Sequence, residues 1–171
     1  WNGMIVFDNL RVSFTFVFLF VTAMTVLIST VWTEREDVPI GEYHALLLFA
    51  TVGMMLMASG NDMVIIFLGL ETLSIATYVM AGLRKSDLKS NESALKYFVL
   101  GSFASAFLLY GMALIYGATA ETNITLIAAK LGAAHFPALL LVGGAMLIVG
   151  FGFKIASVPF HIWTPDVYEG A

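Results

Sequence analysis

Residues 137–171 read PALLLVGGAMLIVGFGFKIASVPFHIWTPDVYEGA, and two features of this stretch decide the fold. The seventeen residues from Pro137 to Phe153 carry no charge at all, and then Lys154 arrives, followed five residues later by Pro159. The uncharged run does not alternate polar with apolar side chains, so it reads as a helix rather than a strand of a membrane barrel. At 1.5 Å per residue, residues 137–158 are long enough to cross about 30 Å of hydrocarbon. Proline removes an amide donor and clashes with the carbonyl four residues earlier, here that of Ile155, so a break is expected beside the lysine. A broken helix at membrane depth is tolerated only where it is buried in protein or lines a watery cavity.

The rest of the 171-residue chain repeats the pattern. Apolar residues make up 60% and charged residues 12%, with a mean hydropathy of +0.91. An ordinary soluble domain has about 25% charged residues, and one of this size has too little interior to hide so many Phe, Met and Leu. Spans are predicted at 12–31, 43–59, 62–82, 94–117 and 137–158, with 159–171 forming a turn segment after the break. The fold class is therefore all-α, a polytopic transmembrane bundle, with residues 1–171 as a single membrane domain.

Loops between the spans are short, so consecutive helices run antiparallel. One end of the bundle holds Arg35, Arg84, Lys85 and Lys89, and the other holds Arg11 and Lys130. The more basic end is expected in the cytoplasm. Cysteine is absent, which excludes disulfides, thiolate metal sites and cysteine nucleophiles. No basic patch supports nucleic-acid binding, and the glycines do not follow the strand, loop and helix order of a nucleotide site. The opening WNGMIVFDN lacks the order of a signal peptide, and the chain reads as an internal segment of a longer one.

Ionisable residues inside the spans are the candidate site. Glu71, in IIFLGLETLSIATYV, lies about 14 Å from either end of its span, close to the bilayer midplane. A carboxylate there is costly unless it is paired, hydrated or protonated. It reads either as a neutral side chain bonded to a neighbouring helix or as a proton-accepting, ion-pairing site, and intramembrane acids favour the second. Ser74 and Tyr78 follow at i+3 and i+7, extending a polar stripe along that face. Lys154 reads as a proton relay if it lies near His161, or as a structural cation capping free carbonyls; Ser157 and His161 would share its face were the helix to continue. Lys96 follows Glu92 by four residues, which suits an interfacial ion pair, and Ser102 and Ser105 deeper in that span would extend a polar path. Asp166 and Glu169 suit a cap or turn, and Trp163 and Tyr168 suit a membrane interface. Gly143, Gly144, Gly150 and Gly152, with Gly101, Ala104 and Gly111, offer small faces for close helix packing.

Two stretches, GFKIASVPFHIWTPDVYEGA and MASGNDMVIIFLGLETLSIATYVMAGLRKSDLKSNESALKYFVLGS, resemble the antiporter-like membrane subunits of proton-pumping NADH:quinone oxidoreductase, respiratory complex I. The wording after the proline is that of the subunit N family within them. This resemblance implies a fold of inverted-topology repeats, each with a discontinuous helix, and about a third of the family's full chain. It maps the family's essential acid to Glu71 and its lysine beside the break to Lys154; Lys96 and His161, read from their own positions in the chain, are further candidate relay residues. It implies a subunit of an enzyme complex that itself carries no redox site or cofactor; NADH, FMN, iron–sulfur clusters and quinone would be held or used elsewhere in the complex. The implied partners are other membrane-arm subunits and the lipid of a bacterial plasma membrane, or alternatively a mitochondrial inner membrane. A Na+/H+ antiporter subunit, or a scaffold between channel subunits, is the alternative reading.

Overall fold

A computed structural model describes residues 2–133 and 136–171. Helix α1 spans Asn9–Arg35, α2 Ile40–Ser59, α3 Met63–Ala81 and α4 Leu88–Thr119. A short α5, Ile124–Lys130, lies in the connection to α6, Pro137–Lys154, and α7 covers Thr164–Gly170. No strand occurs among the described residues. Five of the helices, α1 to α4 and α6, are long and apolar enough to span a bilayer. Large apolar side chains on their outer faces, such as Phe16 (71% exposed) and Leu141 (77%), have nowhere to go in water and suit lipid contact.

Side-chain caps set the starts of four of these elements. Asp8 accepts from the Arg11 amide, Asp62 from Val64, Asp87 from Lys89, and Asn123 from Thr125 and Leu126. Each satisfies amides that have no partner within the helix. The cap at Asp87 explains why α4 begins six residues before the hydropathy reading placed it. Its first six residues are mostly polar, carrying Lys89, Asn91 and Glu92, and only the later turns are apolar enough to register as a span. The 118–133 connection, read as loop, contains α5, whose seven residues are too short to stand out by hydropathy.

Small residues bring the helices together. At the α4–α6 contact, a Cβ added to Gly111 would meet the Gly143 carbonyl at 2.8 Å, and one on Gly143 would meet the Gly111 carbonyl at 3.0 Å. Leu108, fully buried, fills the space beside Gly150. Gly144 meets nothing within 4 Å, so it faces away from this seam. A second seam, between α2 and α3, is built on Gly53 and Gly69, whose backbones leave no room for a side chain. The buried Thr22 and Thr51 hydroxyls bond at 2.7 Å between α1 and α2.

The two ends of the bundle are stitched differently. At one end Arg84 and Lys85 reach Glu36 and Glu42 at 3.7 and 3.9 Å, joining the α3–α4 loop to the α1–α2 corner. At the other, backbone bonds tie the N-terminal segment, the α2–α3 turn and the start of α5: Asn61 donates to Met4 (2.9 Å), Met63 to Thr122 (2.9 Å) and Ile124 to Asn61 (3.0 Å). Asp62, 1% exposed, also accepts from the Thr122 hydroxyl at 2.6 Å.

Helix α6 stops at Lys154, four residues short of its expected end, and Pro159 does not cause the stop. Ala156 has φ +53°, the left-handed conformation that ends helices. The Ser157 amide donates back to Gly152 (2.9 Å) and the Ala156 amide to Phe153 (3.1 Å), the paired bonds of a Schellman cap. Proline follows because the helix is already over, and the expected clash with the Ile155 carbonyl never arises. The shared face expected for Lys154, Ser157 and His161 is likewise absent. Trp163 is buried (8% exposed) under the break.

Candidate functional site

Lys154 ends its helix in mid-bundle. Helix α4 runs alongside from Leu88, and its Gly101, about 20 Å along the helix, packs against Tyr78 of α3. Tyr78 in turn bonds to Lys154. Because the chain turns aside after Lys154 and resumes as α7, the ammonium is held among α3 side chains rather than at a helix end in solvent.

Around Lys154 the side chains form a connected polar chain. Its Nζ donates to Ser74 Oγ at 2.7 Å and to the Tyr78 hydroxyl at 2.9 Å. Glu71 Oε1 lies 4.0 Å from the same nitrogen, and accepts from Ser105 Oγ of α4 at 2.6 Å. Ser74 is itself bonded to the Leu70 carbonyl at 2.6 Å. The ammonium also lies 5.3 Å from the centre of the Tyr78 ring. Both charges are largely withdrawn from solvent, the lysine side chain 12% and the glutamate 23% exposed. Two charges so placed interact far more strongly than they would in water, and each depends on the hydroxyls that replace its hydration.

The stripe read along α3 is thus the set of residues that faces Lys154: Glu71, Ser74 and Tyr78 occupy three successive turns. Ser105 belongs to the same chain. Lysine capping of free carbonyls is not the arrangement found, since Nζ donates to side-chain hydroxyls.

Lys96 lies apart from this cluster, nine residues and about 14 Å along α4 before Ser105. Its ammonium bridges Glu92 and Asp166, both at 2.7 Å, and is 42% exposed. His161 is exposed beyond the break, where its backbone carbonyl accepts from the Thr164 amide (3.0 Å) and hydroxyl (2.6 Å).

Asp166 and Glu169 do more than shape a turn. With Lys96 and Lys89 as partners (2.7 Å each), they clamp α7 onto the first turns of α4. Ser93 donates to the Val167 carbonyl at 3.3 Å within the same contact. Lys89 beside Glu169 holds that carboxyl below the usual range for glutamate. These cross-helix pairs, eighty and seventy residues apart in sequence, have no local signal by which they could be read.

A discontinuous helix carrying a buried lysine, opposed by an intramembrane carboxylate on a neighbouring helix, defines a multi-pass membrane protein of the antiporter-like class. The chain belongs to the family of NADH:quinone oxidoreductase and Mrp antiporter transmembrane subunits, whose pattern matches residues 60–171. It is 50% identical, over its whole length, to NADH-quinone oxidoreductase subunit N of Trichlorobacter lovleyi, of which it covers 36%. Among solved structures, a chain of respiratory complex I from Thermus thermophilus with bound aureothin is 37% identical (TM-score 0.71, covering 99% of this chain and 36% of that one). A chain of the archaeal membrane-bound sulfane sulfur reductase, a respiratory membrane complex, is 30% identical (TM-score 0.79, 92% and 32%). The resemblance to subunit N read from the sequence therefore holds along the whole chain, which spans about a third of the relatives it matches.

Proposed function

We propose that residues 1–171 form one membrane domain of a proton-translocating subunit of an NADH:quinone oxidoreductase, and that Glu71 and Lys154 carry protons within it. The observation that carries this reading is the buried pair itself, an ammonium 4.0 Å from a carboxylate with hydroxyls bonded to both partners. A nearby carboxylate favours the protonated lysine; drawing it away or neutralising it favours release of the proton. Ser74 and Tyr78 keep the ammonium within reach of Glu71 while leaving the two charges unjoined by a direct hydrogen bond. Lys96 with its two carboxylates, and His161 beyond the break, are further relay positions set apart from the pair.

Relatives named NADH-quinone oxidoreductase subunit N support the assignment to that complex. NADH, FMN, iron–sulfur clusters and quinone belong, in this reading, to other subunits, and neighbouring membrane-arm subunits and lipid are the partners. Bacterial relatives favour a bacterial plasma membrane, and the basic end at Arg84 and Lys85 favours placing that end in the cytoplasm. The family description also names Mrp antiporters, which favours Na+/H+ antiport as the second reading.

The test uses the full-length subunit in the assembled complex, reconstituted in vesicles. Glu71→Gln and Lys154→Ala are each expected to lower proton pumping driven by NADH oxidation. Unchanged pumping in both variants overturns the assignment, and cation exchange by the isolated full-length protein decides for antiport.

A further inference from the structure

The acceptor that holds Lys154 is itself held by an aromatic column that starts at the break. Trp163, the last residue before α7, is stacked on Phe153 of α6 (5.2 Å, 27°), and its indole N–H donates to the Phe153 carbonyl at 3.1 Å. That carbonyl, one of the last of α6, also accepts from the Ala156 amide of the cap, so the indole is a further donor at the helix end. The other face of Trp163 stacks on Tyr97 of α4 at 4.6 Å, within 7° of parallel. Tyr97 meets Tyr78 edge to face at 4.6 Å and 85°, and Tyr78 accepts from Lys154. Four aromatic rings thus run from the residue before Lys154, through the start of α7, back to the hydroxyl that Lys154 uses. Tyr78 also meets Phe98 edge to face at 5.9 Å and presses on Gly101, which has no room for a Cβ there.

We propose that Trp163 and Tyr97 are positioning residues for Lys154: by fixing the Tyr78 ring, they set how the ammonium is shared between the α3 hydroxyls and Glu71. The inference deepens, and rests on, the assignment of proton transfer to Glu71 and Lys154. Neither positioning residue touches the lysine. Their effect comes from geometry, because packing against the ring restrains both the tilt that places its oxygen and the plane in which that oxygen's lone pairs are directed. Trp163 connects this restraint to the seat of α7, since it is at once the N-cap of that helix and part of the column. Side chains that hold a reacting group to its geometry act through chains of packed contacts, and changes along them alter coupling by about twofold to thirtyfold.

The experiment compares Trp163→Leu, Tyr97→Leu and Tyr97→Phe with Lys154→Ala, all in the full-length subunit within the assembled complex in vesicles. Pumping is measured across a range of pH. Trp163→Leu and Tyr97→Leu are expected to lower pumping by about twofold or more and to displace its pH profile. Tyr97→Phe, which keeps the ring and loses only the hydroxyl, is expected to restore both. Where Trp163→Leu does not assemble, the half-buried Tyr97 position supplies the same comparison. If Lys154→Ala lowers pumping while both leucine variants match the unmodified complex in rate and pH profile, the positioning role is overturned and the proton-transfer reading stands. If Lys154→Ala leaves pumping unchanged, the positioning role fails together with the proton-carrying role of Lys154.

Discussion

Lys154 donates to Ser74, one turn along α3 from Glu71, so the buried ammonium reaches a hydroxyl at 2.7 Å and the carboxylate only at 4.0 Å. The pair is held apart by one helical turn of its own scaffold. A direct contact would bury two charges in a tight bridge that is costly to open. The longer separation, with hydroxyls between and beside the charges, leaves a pair that a small side-chain movement can close or part.

Ser105 is the only side chain seen donating to Glu71 among the described residues, at 2.6 Å from α4. Removing a donor to a charged, partly buried carboxylate costs about 1–3 kcal/mol. Ser105→Ala is therefore expected to lower proton pumping several-fold while leaving assembly intact, and Ser105→Thr, which restores the hydroxyl, to recover much of it. Vesicle pumping assays on the two variants check this.

The α4–α6 seam makes a local prediction about packing. Gly143→Ala places a methyl 3.0 Å from the Gly111 carbonyl and the Ile115 side chain, and is expected to destabilise the bundle by about 1–3 kcal/mol. Gly144→Ala, on the next residue with open space around it, is expected to be neutral or slightly stabilising through helix propensity. Thermal unfolding of the two variants in detergent separates them.

Ala156 adopts φ +53°, where an L side chain is strained by about 1–2 kcal/mol. Ala156→Gly is expected to remove most of that strain and raise the midpoint of thermal unfolding. Ala156→Val, branched at Cβ, is expected to lower it and to disturb the break that sets Lys154 in place. Equal unfolding midpoints for the glycine and valine variants would show that this residue does not end α6.

The clamp on α7 responds to pH in a fixed direction. Glu169 titrates below the usual glutamate range because Lys89 donates to it at 2.7 Å. The stabilisation is therefore fully present above the ordinary carboxylate range and is lost as pH falls through the depressed value. Both groups are exposed, so the effect is small and is screened by salt. Acidification is expected to lower the protection of the α7 amides, measured relative to their intrinsic exchange rate at each pH, more in the unmodified protein than in Glu169→Gln, which lacks the titrating group.

The all-helical membrane fold was legible in the sequence because hydrocarbon imposes one requirement on every span. Backbone groups must be bonded internally, and about twenty apolar residues are needed to cross. That requirement is local, so the spans at 12–31, 43–59, 62–82, 94–117 and 137–158 can be recognised one at a time. The start of α4 escaped it because polar first turns, capped by Asp87, lie beyond the apolar stretch. Glu71 and Lys154 stood out for the same local reason, each being a charge in a run that should have none, and the i, i+3, i+7 spacing placed Ser74 and Tyr78 on the Glu71 face.

What the tertiary structure alone decided is how those residues meet. The sequence placed a break near Pro159, but the left-handed Ala156 ends the helix, a backbone choice that alanine does not advertise. The partnership of Lys154 with Ser74 and Tyr78, the donation from Ser105, the α7 clamp and the burial of Trp163 all join residues on different helices. Such contacts depend on interhelical seams such as Gly111 against Gly143, which set depth and rotation only once the helices are packed. Hydropathy is a property of each segment by itself. The distance between an ammonium and a carboxylate eighty-three residues apart belongs to the bundle.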